Sequence, residues 1–98
     1  MNNQPIIETR PTNLPTCLDS PVTLRTLRKW STTNQKWAML TCYDATTARW
    51  MAEAGLPTML VGDTAAEMIL GYDSTIHAPL DFLITLTAAV KRGAPNVF

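Results

Sequence analysis

The sequence predicts an α/β fold built on a parallel sheet, and three observations carry that expectation. Two short apolar runs, residues 38–43 and 58–62, lack polar alternation and read as strands buried on both faces. A helical pattern stands between them, and another follows the second. The order is therefore helix, strand, helix, strand, helix and the opening of a further strand. Such alternation means right-handed βαβ units. A (β/α)₈ barrel and an open doubly wound sheet both satisfy it. The chain lacks the Gly-x-Gly-x-x-Gly turn of dinucleotide binders and lacks a P-loop. A barrel takes roughly 250 residues, and these 98 residues supply about two and a half units.

Each element has its own warrant. Residues 1–20 hold Pro5, Pro11 and Pro15 among Asn, Gln and Thr and read as an extended N-terminal arm. Residues 21–98 form the α/β part. Ser20 suits an N-cap with Pro21 at the first helical position, giving a helix over 21–30. Leu24, Leu27 and Trp30 form its apolar side, and Arg28 and Lys29 oppose the dipole in its last turn. Asp44 is placed to cap a helix over 45–54. Gly55 then stops that helix in a Schellman turn that brings Leu56 against Met51. Residues 63–78 read as a loop. Pro79 opens a third helix with Asp81 in its first turn. Leu83, Leu86 and Val90 line one side of it, with Phe82 and Ala89 beside them. Lys91, Arg92, Gly93 and Pro95 mark its stop. Asn96, Val97 and Phe98 begin a third strand.

Composition narrows the function classes. Hydrophobic residues make up 46% and charged residues 16%, which excludes a disordered tail. The apolar runs are too short to span a membrane, and no basic, apolar, small-residue series opens the sequence, so a secretory leader is not expected. Two cysteines, Cys17 and Cys42, make neither a disulfide framework nor a Cys-rich zinc site and fit a reducing cytoplasm. A formal net charge of +0 argues against nucleic acid or an anionic membrane as partner. The charge is unevenly placed, however. From Trp50 to Val90 there is no Lys or Arg, but there are Glu53, Asp63, Glu67, Asp73 and Asp81. Those acids suit either a metal site or a solvated rim.

Chemistry in parallel α/β folds sits at the carboxyl ends of strands. Asp44 and Asp63 both stand there. Asp63 follows Gly62, which lets the backbone turn sharply or approach a ligand. It precedes Thr64, whose hydroxyl can bond a substrate carboxylate. A carboxylate beside hydroxyls suits Mg²⁺, with further ligands from other strands. The plainer reading makes Asp63 a turn cap. For Asp44 the capping role is sufficient. Tyr43 can project its phenol into the mouth of a site or lie half-buried. His77, the single histidine, lies on a loop without a visible partner. Cys42 reads as strand packing, and Trp30, Trp37 and Trp50 as local packing. Residues 71–75, Gly-Tyr-Asp-Ser-Thr, form a turn cluster that can cover the strand ends.

Five blocks in order resemble one family. They are Leu40-Thr41-Cys42-Tyr43-Asp44, Ala54-Gly55-Leu56, Met59-Leu60-Val61-Gly62-Asp63-Thr64, Gly71-Tyr72-Asp73-Ser74-Thr75, and Thr87 through Asn96. Over residues 22–98 the chain resembles the amino-terminal part of the ketopantoate (3-methyl-2-oxobutanoate) hydroxymethyltransferases. The resemblance implies a (β/α)₈ TIM barrel of the phosphoenolpyruvate mutase and isocitrate lyase type. It implies transfer of a one-carbon unit from the co-substrate 5,10-methylenetetrahydrofolate to 3-methyl-2-oxobutanoate. The product is 2-dehydropantoate, on the way to pantothenate and coenzyme A. It also implies a Mg²⁺ cofactor, a cytoplasmic location and a homo-oligomer. The family's Val-Gly-Asp-Ser motif makes Asp63 a metal ligand and substrate contact, and Thr64 a substrate contact that keeps the hydroxyl and adds a methyl.

The chain departs from the family in places. Ala66 stands two residues after Thr64, where the family usually has Gly. His77-Ala78-Pro79 replaces the usual Pro and Thr residues before the third helix, weakening its cap. The family's other metal-binding acids, its substrate-binding lysine and its catalytic glutamate all belong after residue 98, so the 98-residue chain alone is expected to be inactive. Two other classes compete: a non-catalytic remnant or interaction module, and a carbon–carbon lyase of the same superfamily.

Overall fold

The computed structural model describes residues 19–98, so all of the expected N-terminal arm except Asp19 and Ser20 lies outside the described residues. Elements run in the order α1 (Leu24–Thr32), β1 (Met39–Thr41), α2 (Ala45–Glu53), β2 (Thr58–Leu60), α3 (Ala65–Met68), a 3₁₀ turn (Thr75–His77) and α4 (Leu80–Gly93). The α/β class with a parallel sheet is as expected; β1 is shorter than expected at both ends and β2 at its carboxyl end.

Helix α1 starts three residues later than the Ser20–Pro21 signal suggests. Thr23 is the cap. Its hydroxyl accepts the Thr26 N–H at 3.3 Å, while the Thr23 N–H donates to the Thr26 hydroxyl at 3.0 Å. That reciprocal pair satisfies two donors at the helix start. Val22 is drawn elsewhere: its side chain is buried and its N–H donates to the Asn96 carbonyl at 2.8 Å. The helix ends where Asn34 takes a left-handed φ of 55° and the Gln35 N–H reaches back to the Trp30 carbonyl. Trp30 and Trp37 then pack against each other, with ring centroids 5.8 Å apart.

Helix α2 is fixed at both ends. The Asp44 carboxylate accepts the Thr47 N–H at 2.7 Å. At the other end Gly55 has φ 94°, its N–H donates to Ala52 O, and the Leu56 N–H donates to Met51 O. These are the two bonds of the Schellman turn. Trp50 on this helix is 62% exposed, so the local packing expected for it is not found.

Strands β1 and β2 pair in parallel, Met39 opposite Thr58 and Thr41 opposite Leu60. Residues 96–98, expected to open a third strand, are not strand among the described residues, but Phe98 lies beside β2. The Phe98 N–H donates to Pro57 O, and its carbonyl accepts the Met59 N–H. The expectation of strands buried on both faces needs correction. Side chains alternate along a strand, and only one face is covered, that one in part, since Leu40 on it is 53% exposed. Cys42, Met59 and Val61 join the core cluster with Ala48, Val90, Ala94 and Val97. On the opposite face Met39 and Leu60 stay about half exposed, and Thr41 is exposed too. Thr58, at the lower end of that face, is fully buried and donates its hydroxyl to Ala38 O at 2.7 Å.

Helix α4 packs on α2. As expected, Val90 is buried and Phe82, Leu83, Leu86 and Ala89 are partly buried. Pro79 takes the cap position and no side chain caps the helix, in line with the weakened cap. The helix stops where the sequence signals it, with Gly93 as its last residue. A Cβ there would collide with the backbone of Ala45 at the start of α2. The glycine therefore sets how closely the two helices approach. Beyond it, the Lys91 ammonium donates to Val97 O at 3.1 Å and ties residues 96–98 back to the helix.

Candidate functional site

The β1–β2 register that sets Met39 beside Thr58 carries Asp44 onto Asp63 by the same offset. Both acids thus follow their strands at the same, carboxyl end of the sheet, each opening a turn into a helix. Their surroundings differ. The Asp44 carboxyl is held below its ordinary value, first by the backbone N–H of Thr47 and then by the Thr47 side chain. Hydrogen bonds to the ionised form have that effect. Asp44 is therefore committed to its cap.

Asp63 has no such partner. Its carbonyl accepts the Ala66 N–H at 3.0 Å, and the Gly62 carbonyl accepts the Ala65 N–H at 3.2 Å, so the backbone closes its own turn. Thr64 occupies the cap position of α3 with helical backbone angles, φ −58° and ψ −19°, and makes no side-chain cap bond. Capping needs an extended residue whose oxygen can reach the N2 or N3 amide. Among the described residues, the Asp63 carboxylate and the Thr64 hydroxyl accept no protein hydrogen bond, and both residues are exposed. The turn-cap reading of Asp63 therefore holds for its backbone and not for its side chain.

The rest of the candidate set sorts as follows. Tyr43 is half-buried at the end of β1. Cys42 is buried in the core, as its packing role requires. His77 is exposed in the 3₁₀ turn and has a partner the sequence did not show, the Tyr72 ring, at 5.7 Å between centroids. Residues 63–78 are not a plain loop. Ala65–Met68 form a single helical turn with Ala65 and Ala66 buried, and Tyr72 N–H returns to Ala66 O at 3.1 Å. Ala66 thus sits in a helical path that needs no glycine. Four consecutive helix formers after Asp63-Thr64 were the available signal for that turn.

Glu53, Asp63, Glu67, Asp73 and Asp81 are all exposed, and no three His, Cys, Asp or Glu among the described residues gather to hold a metal. A hard cation such as Mg²⁺ prefers carboxylate and hydroxyl oxygen. The unengaged Asp63 carboxylate fits as one ligand of such an ion, and the described residues do not complete the set. The acidic stretch is otherwise a solvated rim.

Comparison with known proteins decides the family. The sequence profile of the ketopantoate hydroxymethyltransferases matches residues 21–98. This chain belongs to that family. It is 51% identical over 70 residues to the 3-methyl-2-oxobutanoate hydroxymethyltransferase of Mycobacterium tuberculosis (strain ATCC 25618 / H37Rv). The enzymes of that name from Mycobacterium bovis (strain BCG / Pasteur 1173P2) and Mycobacterium ulcerans (strain Agy99) are equally similar. The match covers 71% of this chain and 25% of the M. tuberculosis protein, so the chain spans about a quarter of the length of these relatives. The five blocks that carried the resemblance all fall within the residues that the family profile matches. Among the described residues, no helix is long and apolar enough to cross a membrane.

Proposed function

We propose that these residues form the first βα units of a (β/α)₈ barrel that transfers a hydroxymethyl group to 3-methyl-2-oxobutanoate. The donor is 5,10-methylenetetrahydrofolate and the product 2-dehydropantoate, in the cytoplasmic route to pantothenate. The observation that supports this reading best is Asp63. It is a strand-end acid whose carboxylate accepts no hydrogen bond among the described residues, followed by a hydroxyl that likewise accepts none.

In this reading Asp63 supplies carboxylate oxygen to Mg²⁺ and Thr64 donates its hydroxyl to the carboxylate of the keto acid. The metal, when bound, supplies Lewis-acid polarisation of the ketone. Asp44 holds α2 in place at the neighbouring strand end and takes no part in binding. Tyr43 borders the site mouth. The base that removes the C3 proton, and the remaining metal ligands, come from elements outside these residues. A proton cannot be taken without a base in reach, so the 98-residue chain alone turns nothing over. The complete barrel works as a homo-oligomer.

The test is a hybrid enzyme in which residues 21–98 replace the matching quarter of the M. tuberculosis relative. Mg²⁺-dependent formation of 2-dehydropantoate is expected. Asp63→Ala in the hybrid should lower turnover at least about 100-fold, the scale of losing one transition-state electrostatic contact. A folded hybrid without turnover, or full turnover after Asp63→Ala, overturns the assignment.

A further inference from the structure

Helix α3 is too short to stand by itself. A single turn fixes several backbone dihedrals for very few hydrogen bonds and is unfavourable in isolation. Yet it hangs directly on the two residues of the candidate site. The Asp63 carbonyl accepts the Ala66 N–H at 3.0 Å, and the Thr64 carbonyl accepts the N–H groups of Glu67 and Met68 at 3.0 and 2.9 Å. Whatever holds α3 therefore also holds the backbone that carries the Thr64 hydroxyl.

Two closed units follow one another here. The first continues from α3. Gly71, with φ 77°, donates its N–H to Glu67 O at 3.2 Å, and the Tyr72 N–H donates to Ala66 O at 3.1 Å. The second is the 3₁₀ turn, where the Ser74 hydroxyl accepts the Ile76 N–H at 3.2 Å and the Ala78 N–H donates to Thr75 O at 3.1 Å. Among the described residues no hydrogen bond joins the two units. The 3₁₀ turn packs on α3, and the ring contact between the units is Tyr72 against His77, with centroids 5.7 Å apart and planes tilted by 40°. That is the spacing of an attractive ring pair. Tyr72 is fastened to α3 by its backbone and His77 belongs to the 3₁₀ turn, so their contact closes the segment onto α3. We infer that the Tyr72–His77 pair is a latch on α3, and that both are positioning residues for Thr64 in keto-acid binding. The inference rests on the role proposed for Thr64 above. In that role Thr64 holds the substrate carboxylate, which does not react, so the latch serves binding and not the chemical step.

The experiment uses the hybrid enzyme with Tyr72→Leu, His77→Ala, both together, and His77→Phe. Amide hydrogen exchange reads the latch without turnover. His77→Ala should speed exchange of the Met68 and Tyr72 amides about 2- to 10-fold, the scale of losing one ring pair, and leave the amides of α2 unchanged. Steady-state kinetics reads its use. The KM for 3-methyl-2-oxobutanoate should rise by a similar factor while kcat stays within about twofold. The double variant should be no worse than either single one, because the two rings act as one unit. His77→Phe keeps a ring and should restore both readouts. Exchange unmoved by His77→Ala overturns the latch. Faster exchange with an unchanged KM overturns its link to Thr64, and effects that simply add overturn the pairing. A folded hybrid without turnover, or one that keeps full turnover after Asp63→Ala, contradicts the proposed function and with it the role at Thr64, while the exchange rates still decide the latch.

Discussion

The turn after β1 and the turn after β2 occupy equivalent places in the sheet, yet they are built to different ends. In the first, Asp44 is extended, with φ −148°, and its carboxylate caps α2. Gly93 lets α4 press on the start of that helix, and a Schellman turn closes its far end. In the second, Asp63 precedes a helix of one turn whose backbone closes without its side chain. Identical residue types at equivalent positions thus divide into one whose carboxylate caps a helix and one whose carboxylate accepts no hydrogen bond among the described residues. The local backbone differs: Asp44 is extended at its cap position and turns its carboxylate back to the helix amides, whereas Thr64, at the corresponding cap position of α3, is helical and makes no side-chain cap bond.

Substitutions on each side should break the comparison differently. The largest effect is the loss of turnover on Asp63→Ala in the hybrid enzyme, measured by product formation. Next comes Gly93→Ala. Its methyl meets the Ala45 backbone, and overpacking of this kind costs about 1–3 kcal/mol, read as a lower urea midpoint with an unchanged slope. Asp44→Ala removes the cap and should cost about 1 kcal/mol; Asp44→Asn, which can still accept the Thr47 N–H, should cost less. Thr64→Ala should leave stability within about 0.5 kcal/mol of the parent, as for surface changes away from structural contacts, while weakening keto-acid binding.

A pH series sharpens the contrast further. The Asp44 carboxyl is lowered in the folded chain, so the folded state favours its ionised form. Its contribution is complete above the ordinary value of 3.8 and is lost as pH falls through the lowered folded value. Asp44→Asn should therefore flatten the acid limb of stability below about pH 4. Since Asp44 is exposed, solvent screening keeps that change small.

Much of this was legible in the sequence because it rests on local chemistry. Asp44 as a cap and Gly55 with Leu56 as a helix stop both follow from residue type and spacing. The start of α1 was misread because Val22 is held by Asn96, a distant residue that no local signal reveals. The helix stop at Gly93 is as expected, whereas the contact of Gly93 with Ala45, far away in sequence, has no local signal. The bare face around Met39 and Leu60 follows from what packs on the sheet, which apolar runs do not record. At the site, the sequence singled out Asp63 over Asp44 by its glycine and its neighbouring hydroxyl. The structure shows that Asp44 caps its helix and that, among the described residues, the Asp63 side chain caps nothing.

The most direct test pairs two readouts on two variants of the hybrid enzyme: thermal unfolding and Mg²⁺-dependent turnover for Asp63→Ala and Asp44→Ala. The expected pattern is crossed. Asp63→Ala keeps its Tm and loses turnover at least about 100-fold, while Asp44→Ala lowers Tm by a few degrees and keeps most of its turnover below the transition. If Asp63→Ala unfolds early and Asp44→Ala abolishes turnover at full stability, the two acids have the opposite roles and the account is wrong.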